Sequence, residues 1–519
     1  MASFLRKASP ARIVVVVTVA VTLFRLWYAT RIGLVADEAY YWLWSKHLAA
    51  SYRDKGPAIA WIIALGTGMF GDTVFGVRFF AVMLSSATGW LIFDLARRLY
   101  DDRTGLWCVL IALVTPLFAV GAILMTIDTP SVFFWGLGTI LFWKGLHDAK
   151  TSTWFCLGLA IGAGFLAKFT NGAQLICVVM FLAWPAPHRR FLFSRQSLVM
   201  LAAFAVAISP VIWWNVETGW VHAMALHSRS GVTDSFHIRP GQAFRFLGEQ
   251  LGVFSPLLMI GMLVAAALSM GKDADIRSRF LASQCAPLYA LFLLFSLNSA
   301  GKPNWTAPAY FTGVILMVVF WRGVAARRPA WRWGLRAGVA VAAIMTVFLH
   351  NTEVLGLPPR LDPMRRAQGW PYFAARLDRI RKEKEADLLL GSDYSMASLM
   401  AFYLPGQPPT FMPPEPYGSS QFTLWPSYKA ARDTRALFVT WGPQTPPDEL
   451  RSQFGRIELV DDFWTLHHGR PMKRVCVYLC SPEPFSSAGS SGGNSSYAMA
   501  STNLPPARPP LPTGTDITP

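Results

Sequence analysis

The sequence predicts a mainly α-helical, polytopic membrane protein with a small C-terminal α/β domain. Three observations carry that reading. Of 519 residues, 53% are apolar and only 15% charged, whereas ordinary soluble domains carry about 25% charged residues. About eleven apolar runs approach the ~20 residues that a bilayer crossing requires. Lys and Arg gather in alternate short loops between those runs, the asymmetry that orients membrane proteins.

The first run, 12–31, follows a short basic stretch containing Arg6, Lys7 and Arg12. It has no small-residue cleavage site and Arg25 interrupts it, so it reads as a span with a cytoplasmic N-terminus rather than a signal peptide. Residues 36–57 are too polar to cross. The apolar stretch 58–72 is short and is expected to lie as an interfacial helix. Further spans are expected near 77–96, 105–124, 130–147, 152–169, 171–186, 197–214, 247–269, 282–298, 305–322 and 334–350. Each loop then assigned to the cytoplasm is basic, from Arg97, Arg98 and Arg103 to Arg322, Arg327, Arg328, Arg332 and Arg336. The short loop 124–129 on the other side has no Lys or Arg.

Residues 1–350 thus form the expected transmembrane domain. Beyond it the pattern alternates between helix and strand. Trp370–Lys384 and Met396–Tyr403 read as helices. Asp387–Gly391, Ala436–Trp441, Arg456–Val460 and Arg474–Leu479 read as strands. An odd number of spans places this 351–480 domain in the periplasm. Residues 481–519 are rich in Ser, Gly and Pro and poor in aromatics, the composition of a disordered tail.

The formal charge of +17 would suit nucleic acid, but the bases lie in loops between spans and no binding motif accompanies them. Six cysteines do not make a disulfide framework. Cys108, Cys156, Cys177 and Cys285 fall in apolar runs, where a free thiol behaves as a small hydrophobe.

Segment 36–57 organises the rest. It combines Asp37, Glu38 and Asp54 with Arg53 and Lys55, around an aromatic stripe of Tyr40, Tyr41, Trp42 and Trp44 suited to the water–lipid boundary. On the same predicted face lie Asp128, Lys168, Lys302 and the long loop 215–246 with Arg229, Arg239 and Arg245. Charged groups near the membrane cost about 2.5–3.5 kcal/mol each at its centre, so they need a reason. The set suits displacement of a phosphate: cations neutralise a departing phosphate, and a carboxylate takes the proton of an acceptor hydroxyl. The outer face has no nucleotide pool, so a lipid-borne donor fits.

Val35-Ala36-Asp37-Glu38-Ala39-Tyr40-Tyr41-Trp42 and Ser51-Tyr52-Arg53-Asp54-Lys55-Gly56-Pro57 resemble the first outer loop of polyprenyl-phosphate-sugar-dependent glycosyltransferases of the C-type fold. These include lipid A aminoarabinose and galacturonic acid transferases and bacterial relatives of protein O-mannosyltransferases. Thr126–Pro130, Leu166–Thr170, Lys302–Tyr310 and Ser392-Asp393-Tyr394 extend the resemblance. It implies Asp37 as catalytic carboxylate, Asp128 as a second cavity acid and Lys55 as phosphate ligand, helped by Arg53, Arg229, Arg239 or Arg245. Asp54, in the acidic position before the lysine, is a candidate substrate contact together with Glu38, Lys168 and Lys302. Gly56-Pro57 stands where many relatives have two prolines, and Lys302 where many have Glu, a charge reversal beside the site.

The implied partners are a polyprenyl-phosphate sugar donor, a lipid or glycan acceptor and membrane lipids, with no nucleic acid. The location is a bacterial inner membrane. Simpler roles stay open. Asp37-Glu38 suits a helix N-terminus, Lys55 can snorkel, Asp128-Thr129-Pro130 is a natural helix start, and Lys168 can anchor a span end. No metal ligand is assigned. A divalent ion on His222 and His227 with Glu217 or Asp37 is the open alternative, and His467-His468 is a weaker one. A protein O-glycosyltransferase shares the donor chemistry. A lipid or sugar flippase and a membrane-anchored binding protein are the alternatives from other classes; no internal repeat favours a transporter.

Overall fold

In a computed structural model, residues 9–184, 186–230, 237–298, 301–358, 361–429 and 434–482 are described. Helix α1 (Pro10–Ala29) starts at a Ser9 cap with proline in its first position, where the missing N–H costs nothing. It is followed by α2 (Ala36–Lys46), α3 (Ala58–Phe70), α4 (Val74–Leu99), α5 (Asp102–Val114) and α6 (Pro116–Val120). Asp101 caps α5, accepting the Thr104 N–H at 2.7 Å. Next come α7 (Asp128–Asp148), α8 (Thr151–Ala167), α9 (Ala173–Ala183), α10 (Arg195–Glu217) and α11 (Val221–Ser230). The helical part closes with α12 (Pro240–Phe254), α13 (Pro256–Ser269), α14 (Ile276–Ser283), α15 (Ala286–Ser296), α16 (Ala309–Arg327) and α17 (Arg332–His350).

Among the described residues, six helices are long and apolar enough to cross a membrane, or up to seven if a bent pair counts as one span. Shorter apolar helices, Thr151–Ala167 and Phe169–Ala183, lie in two others of the eleven expected runs, and proline divides two more. Run 247–269 is cut at Ser255-Pro256, where α12 and α13 meet at 112° and Ser255 has φ of 83°. Run 105–124 is cut at Thr115-Pro116. Proline lacks the N–H and disfavours helix at the preceding residue, which a hydropathy window does not see.

The C-terminal part adds α18 (Trp370–Glu383), β1 (Leu388–Gly391), α19 (Tyr394–Tyr403), β2 (Ala436–Trp441), α20 (Asp448–Gln453), β3 (Arg456–His467) and β4 (Arg470–Ser481). The sheet order is β1-β2-β4-β3. β1 pairs parallel with β2, and β2 and β3 flank β4 antiparallel. The expected strands thus form, with β3 and β4 longer at the hairpin. The expected tail lies, from Glu483 onward, outside the described residues.

The sheet packs on the first loop rather than standing apart. One buried core joins Trp42, Trp44, Tyr52 and Ile59 to Trp370, Phe402 and Val439. Trp42 meets Phe402 edge-on at 5.0 Å. Trp370 donates its indole N–H to the Leu34 carbonyl at 2.9 Å, and the Leu34 N–H reaches the Tyr403 hydroxyl. This shared core fixes where segment 36–57 sits.

Candidate active site

Two successive acids on α2 have different surroundings because successive helical side chains point about 100° apart. Glu38 is fully buried. It forms an ion pair with Arg78, also fully buried, and accepts the Arg78 Nε–H at 2.8 Å, the Met125 N–H at 2.8 Å and the Val35 N–H at 3.0 Å. Arg78 also donates to the carbonyls of Ala29, Ile32 and Gly33. Every strong donor and acceptor direction of the pair is therefore used inside the protein. Glu38, expected to contact substrate, instead ties α2 to α4 and to the approach to α7. Asp37 is exposed, and the Tyr394 hydroxyl donates to its Oδ1 at 3.3 Å.

The second half of the segment is held by backbone contacts. Arg53 pairs with Asp54 at 2.6 Å, donates to the Gly418 carbonyl, and its N–H meets Gln421 at 2.8 Å. The Lys55 carbonyl accepts the Tyr52 N–H at 3.2 Å. His222 Nδ1 sits 2.6 Å from the Arg53 carbonyl, so that nitrogen carries the proton, and the imidazole meets Phe169 at 4.3 Å with the rings tilted by 60°. Burial lowers the His222 pKa below 6.5, with Lys55 adding to the effect and the carbonyls and Asp54 opposing it. Gly56 permits the tight approach beneath: a Cβ there would lie 2.0 Å from the Leu166 carbonyl oxygen.

A second cluster joins three distant segments. Lys168, at the end of α8, lies 2.7 Å from Asp128 and donates to the Asn304 carbonyl at 3.0 Å. The Asn304 side-chain amide donates to the other Asp128 oxygen at 2.6 Å. The two clusters converge at Tyr41. Burial raises its pKa most, and the charges of Asp37, Asp128 and Asp54 each raise it further. Asp37 and Asp54 act in the same sense on Tyr394.

Asp128 and Asn304 also line a cavity of about 470 Å³ whose walls include Val109, Leu113, Phe118 and Val132. No residue of 36–57 lines it. The remaining candidates lie farther out. Lys302 is exposed. Arg245 is exposed and paired with Glu249 at 2.9 Å. Arg239 is exposed at the start of α12. The Arg229 and His227 side chains fall outside the described part. No three-ligand metal cluster among the described residues contains His222, Glu217 or Asp37.

Sequence reasoning had marked the motifs of Tyr394 and Asn304 but assigned these residues no role. It missed Lys473, whose ammonium stands 4.2 Å over Trp441 and 5.5 Å from Trp370. Burial and the nearby Arg365 and Arg366 pull its pKa down to about 8, against the attraction of Asp393. Its aromatic bed comes from β2 and α18, so no local pattern around β4 signals it.

Residues 54–214 match the family described as dolichyl-phosphate-mannose-protein mannosyltransferase. The undecaprenyl phosphate-alpha-4-amino-4-deoxy-L-arabinose arabinosyl transferase of Pseudomonas aeruginosa strain UCBPP-PA14 is 30% identical over 296 residues, covering 53% of this chain and 51% of the relative. The enzyme of the same name from Edwardsiella ictaluri is 30% identical over 295 residues, with the same coverage. The chain therefore spans about half the length of the curated relatives it matches. In fold it is similar to the apo crystal structure of ArnT from Cupriavidus metallidurans, with TM-score 0.61 and 18% identity over 91% of this chain and 98% of that one. The undecaprenyl-phosphate-bound structure of that ArnT gives TM-score 0.59 at 18% identity, covering 89% and 97%. Sequence and fold both resemble the membrane glycosyltransferases that use polyprenyl-phosphate sugars.

Proposed function

We propose that this chain is a membrane glycosyltransferase that moves one sugar from a polyprenyl phosphate to an acceptor on the periplasmic face of the inner membrane. The single observation that carries this reading is a set of carboxylates held beside cations and a phenol: Asp37 under the Tyr394 hydroxyl, Asp54 on Arg53 and Asp128 on Lys168. Lys55, beside Asp54 in the chain, adds a cation whose charge reaches His222. The similarity to arabinosyl transferases named for an undecaprenyl-phosphate sugar supports the donor class.

Residues 1–350 would form the transmembrane part, 351–480 the periplasmic part and 481–519 a tail. About eleven crossings, some by short helices, would put the N-terminus in the cytoplasm. Asp37 takes the proton of the acceptor hydroxyl, and the freed oxygen attacks the anomeric carbon. The bond from that carbon to the phosphate oxygen breaks, and its electron pair leaves with the lipid phosphate. Lys55 and Arg53 hold the charge gained there, helped by Arg229, Arg239 or Arg245 from the long loop. Direct displacement inverts the anomeric centre. Tyr394 orients Asp37 through its 3.3 Å hydrogen bond. Asp128, fixed by Lys168 and Asn304, lines the apolar cavity, which suits part of an isoprenoid chain. Glu38 is a positioning residue, and exposed Lys302 can meet substrate only at the rim.

A phosphorylated lipid A-type acceptor fits better than a protein. Lys473, Arg365 and Arg366 form a cationic patch whose lysine rests on Trp441, and Trp441 bonds Ser395, next to Tyr394. Mass spectrometry of lipid A and surface glycans from cells with and without this protein tests the assignment. The expected result is loss of one sugar mass from a lipid or glycan. Unchanged lipids and glycans with a sugar lost from a protein would favour the O-glycosyltransferase. No change in any class would reject sugar transfer.

A further inference from the structure

Outside the candidate active site, one cluster has the composition of a metal centre. Glu353 belongs to the short 3-10 turn Thr352–Leu355 just after α17. His467 ends β3, and His468 begins the tight turn into β4. Glu353 Oε1 lies 3.0 Å from His467 Nε2 and 3.0 Å from His468 Nδ1. All three ligand atoms lie within 4.8 Å of one another. Tetrahedral zinc with bonds of about 2.0–2.2 Å separates its ligand atoms by about 3.3 Å, inside that range.

The local backbone is bent to bring the two rings together. Consecutive residues of a strand point to opposite faces, so a His-His pair in regular β-structure cannot converge. His468 takes φ of 47° and Gly469 takes 77°, which breaks the alternation at the hairpin. The imidazoles then stack at 4.1 Å. A non-glycine residue in the left-handed region is uncommon, and here it turns a second nitrogen toward the same carboxylate oxygen. The Glu353 turn is itself braced. The Thr352 hydroxyl donates to Asp362 at 2.7 Å, and Asp362 also accepts the Met364 N–H at 2.8 Å.

We propose that Glu353, His467 and His468 bind a borderline divalent cation of the Zn²⁺ class and so staple the β3–β4 hairpin to the end of α17. Two nitrogens and one oxygen select Zn²⁺ over Mg²⁺ or Ca²⁺, which take oxygen sets. His468 is exposed, leaving the fourth position to water. The role is structural, because the cluster joins a helix end to a hairpin.

The test uses the full chain purified in detergent, stripped with a chelator and dialysed against Zn²⁺. Bound metal is counted by plasma mass spectrometry and unfolding is followed by heat. The double variant His467→Ala/His468→Ala should bind one equivalent less than wild type. A Zn²⁺-dependent rise in Tm of about a few degrees should disappear, and Mg²⁺ should produce no rise in either protein. Equal metal content in wild type and variant would overturn the proposal. If the double variant does not fold, Glu353→Gln, which keeps size and shape, should weaken Zn²⁺ binding at least tenfold at this one site. Affinity unchanged in Glu353→Gln would overturn it as well.

Discussion

Asp37 and Glu38 are adjacent on one helical turn, yet one carboxylate is exposed beneath the Tyr394 hydroxyl and the other is enclosed with Arg78. Their variants should fail differently. Asp37→Asn should lower sugar transfer by about 10²–10⁴-fold, the usual worth of a general base, with little change in Tm. Glu38→Gln strands a buried guanidinium and should cost about 3–5 kcal/mol of stability. Thermal unfolding and single-turnover transfer on the same preparations separate the two.

Asp128 and Lys168 make a pair that can be removed together. Asp128→Asn alone leaves the Lys168 ammonium, which is only 7% exposed, without its counter-charge and should destabilise the protein. Adding Lys168→Met should recover most of that loss, because replacing both members of a buried pair is commonly near neutral. Transfer should stay impaired in the double variant if Asp128 serves substrate as well as fold. A double-mutant cycle in Tm and in transfer rate measures both.

Gly56→Ala should loosen segment 53–55. A methyl 2.0 Å from the Leu166 carbonyl oxygen forces that backbone or the loop to move. We expect a Tm loss and a larger loss in donor affinity than in acceptor affinity. Steady-state kinetics with each substrate varied in turn check the order.

His222 predicts a pH dependence with a defined sign. Its folded-state pKa is depressed below 6.5, so the unfolded chain binds the proton more readily. The stabilisation is full above pH 6.5 and falls away as pH drops through the lower, folded value. His222→Gln should remove that dependence, narrowing the Tm difference between pH 7.5 and pH 5.5.

The acids and bases of the site were legible because charge at the ends of apolar runs is conspicuous. Asp37, Asp54, Lys55 and Asp128 stand out on that ground alone. The strands of the C-terminal part were legible too, since Ala436–Trp441 and Arg474–Leu479 are short, β-branched or aromatic runs. What the residues did not disclose is pairing across distance. Tyr394 lies 357 positions from Asp37, and Asn304 lies 176 from Asp128. Glu38 resembled its neighbour in every local respect, and only the fold assigns it Arg78 and an internal role. The breaks at Ser255-Pro256 and Thr115-Pro116 were not legible, because hydropathy averages across them without registering the turn.

The central claim is that the cations beside Asp54 hold a lipid phosphate, and binding of undecaprenyl phosphate by native mass spectrometry tests it most directly. Loss of a charge-assisted contact is worth about 1.5–3 kcal/mol, so Lys55→Ala should raise the Kd by roughly 10–100-fold, while Asp37→Asn should leave it within about twofold. Wild-type affinity in Lys55→Ala would contradict the account.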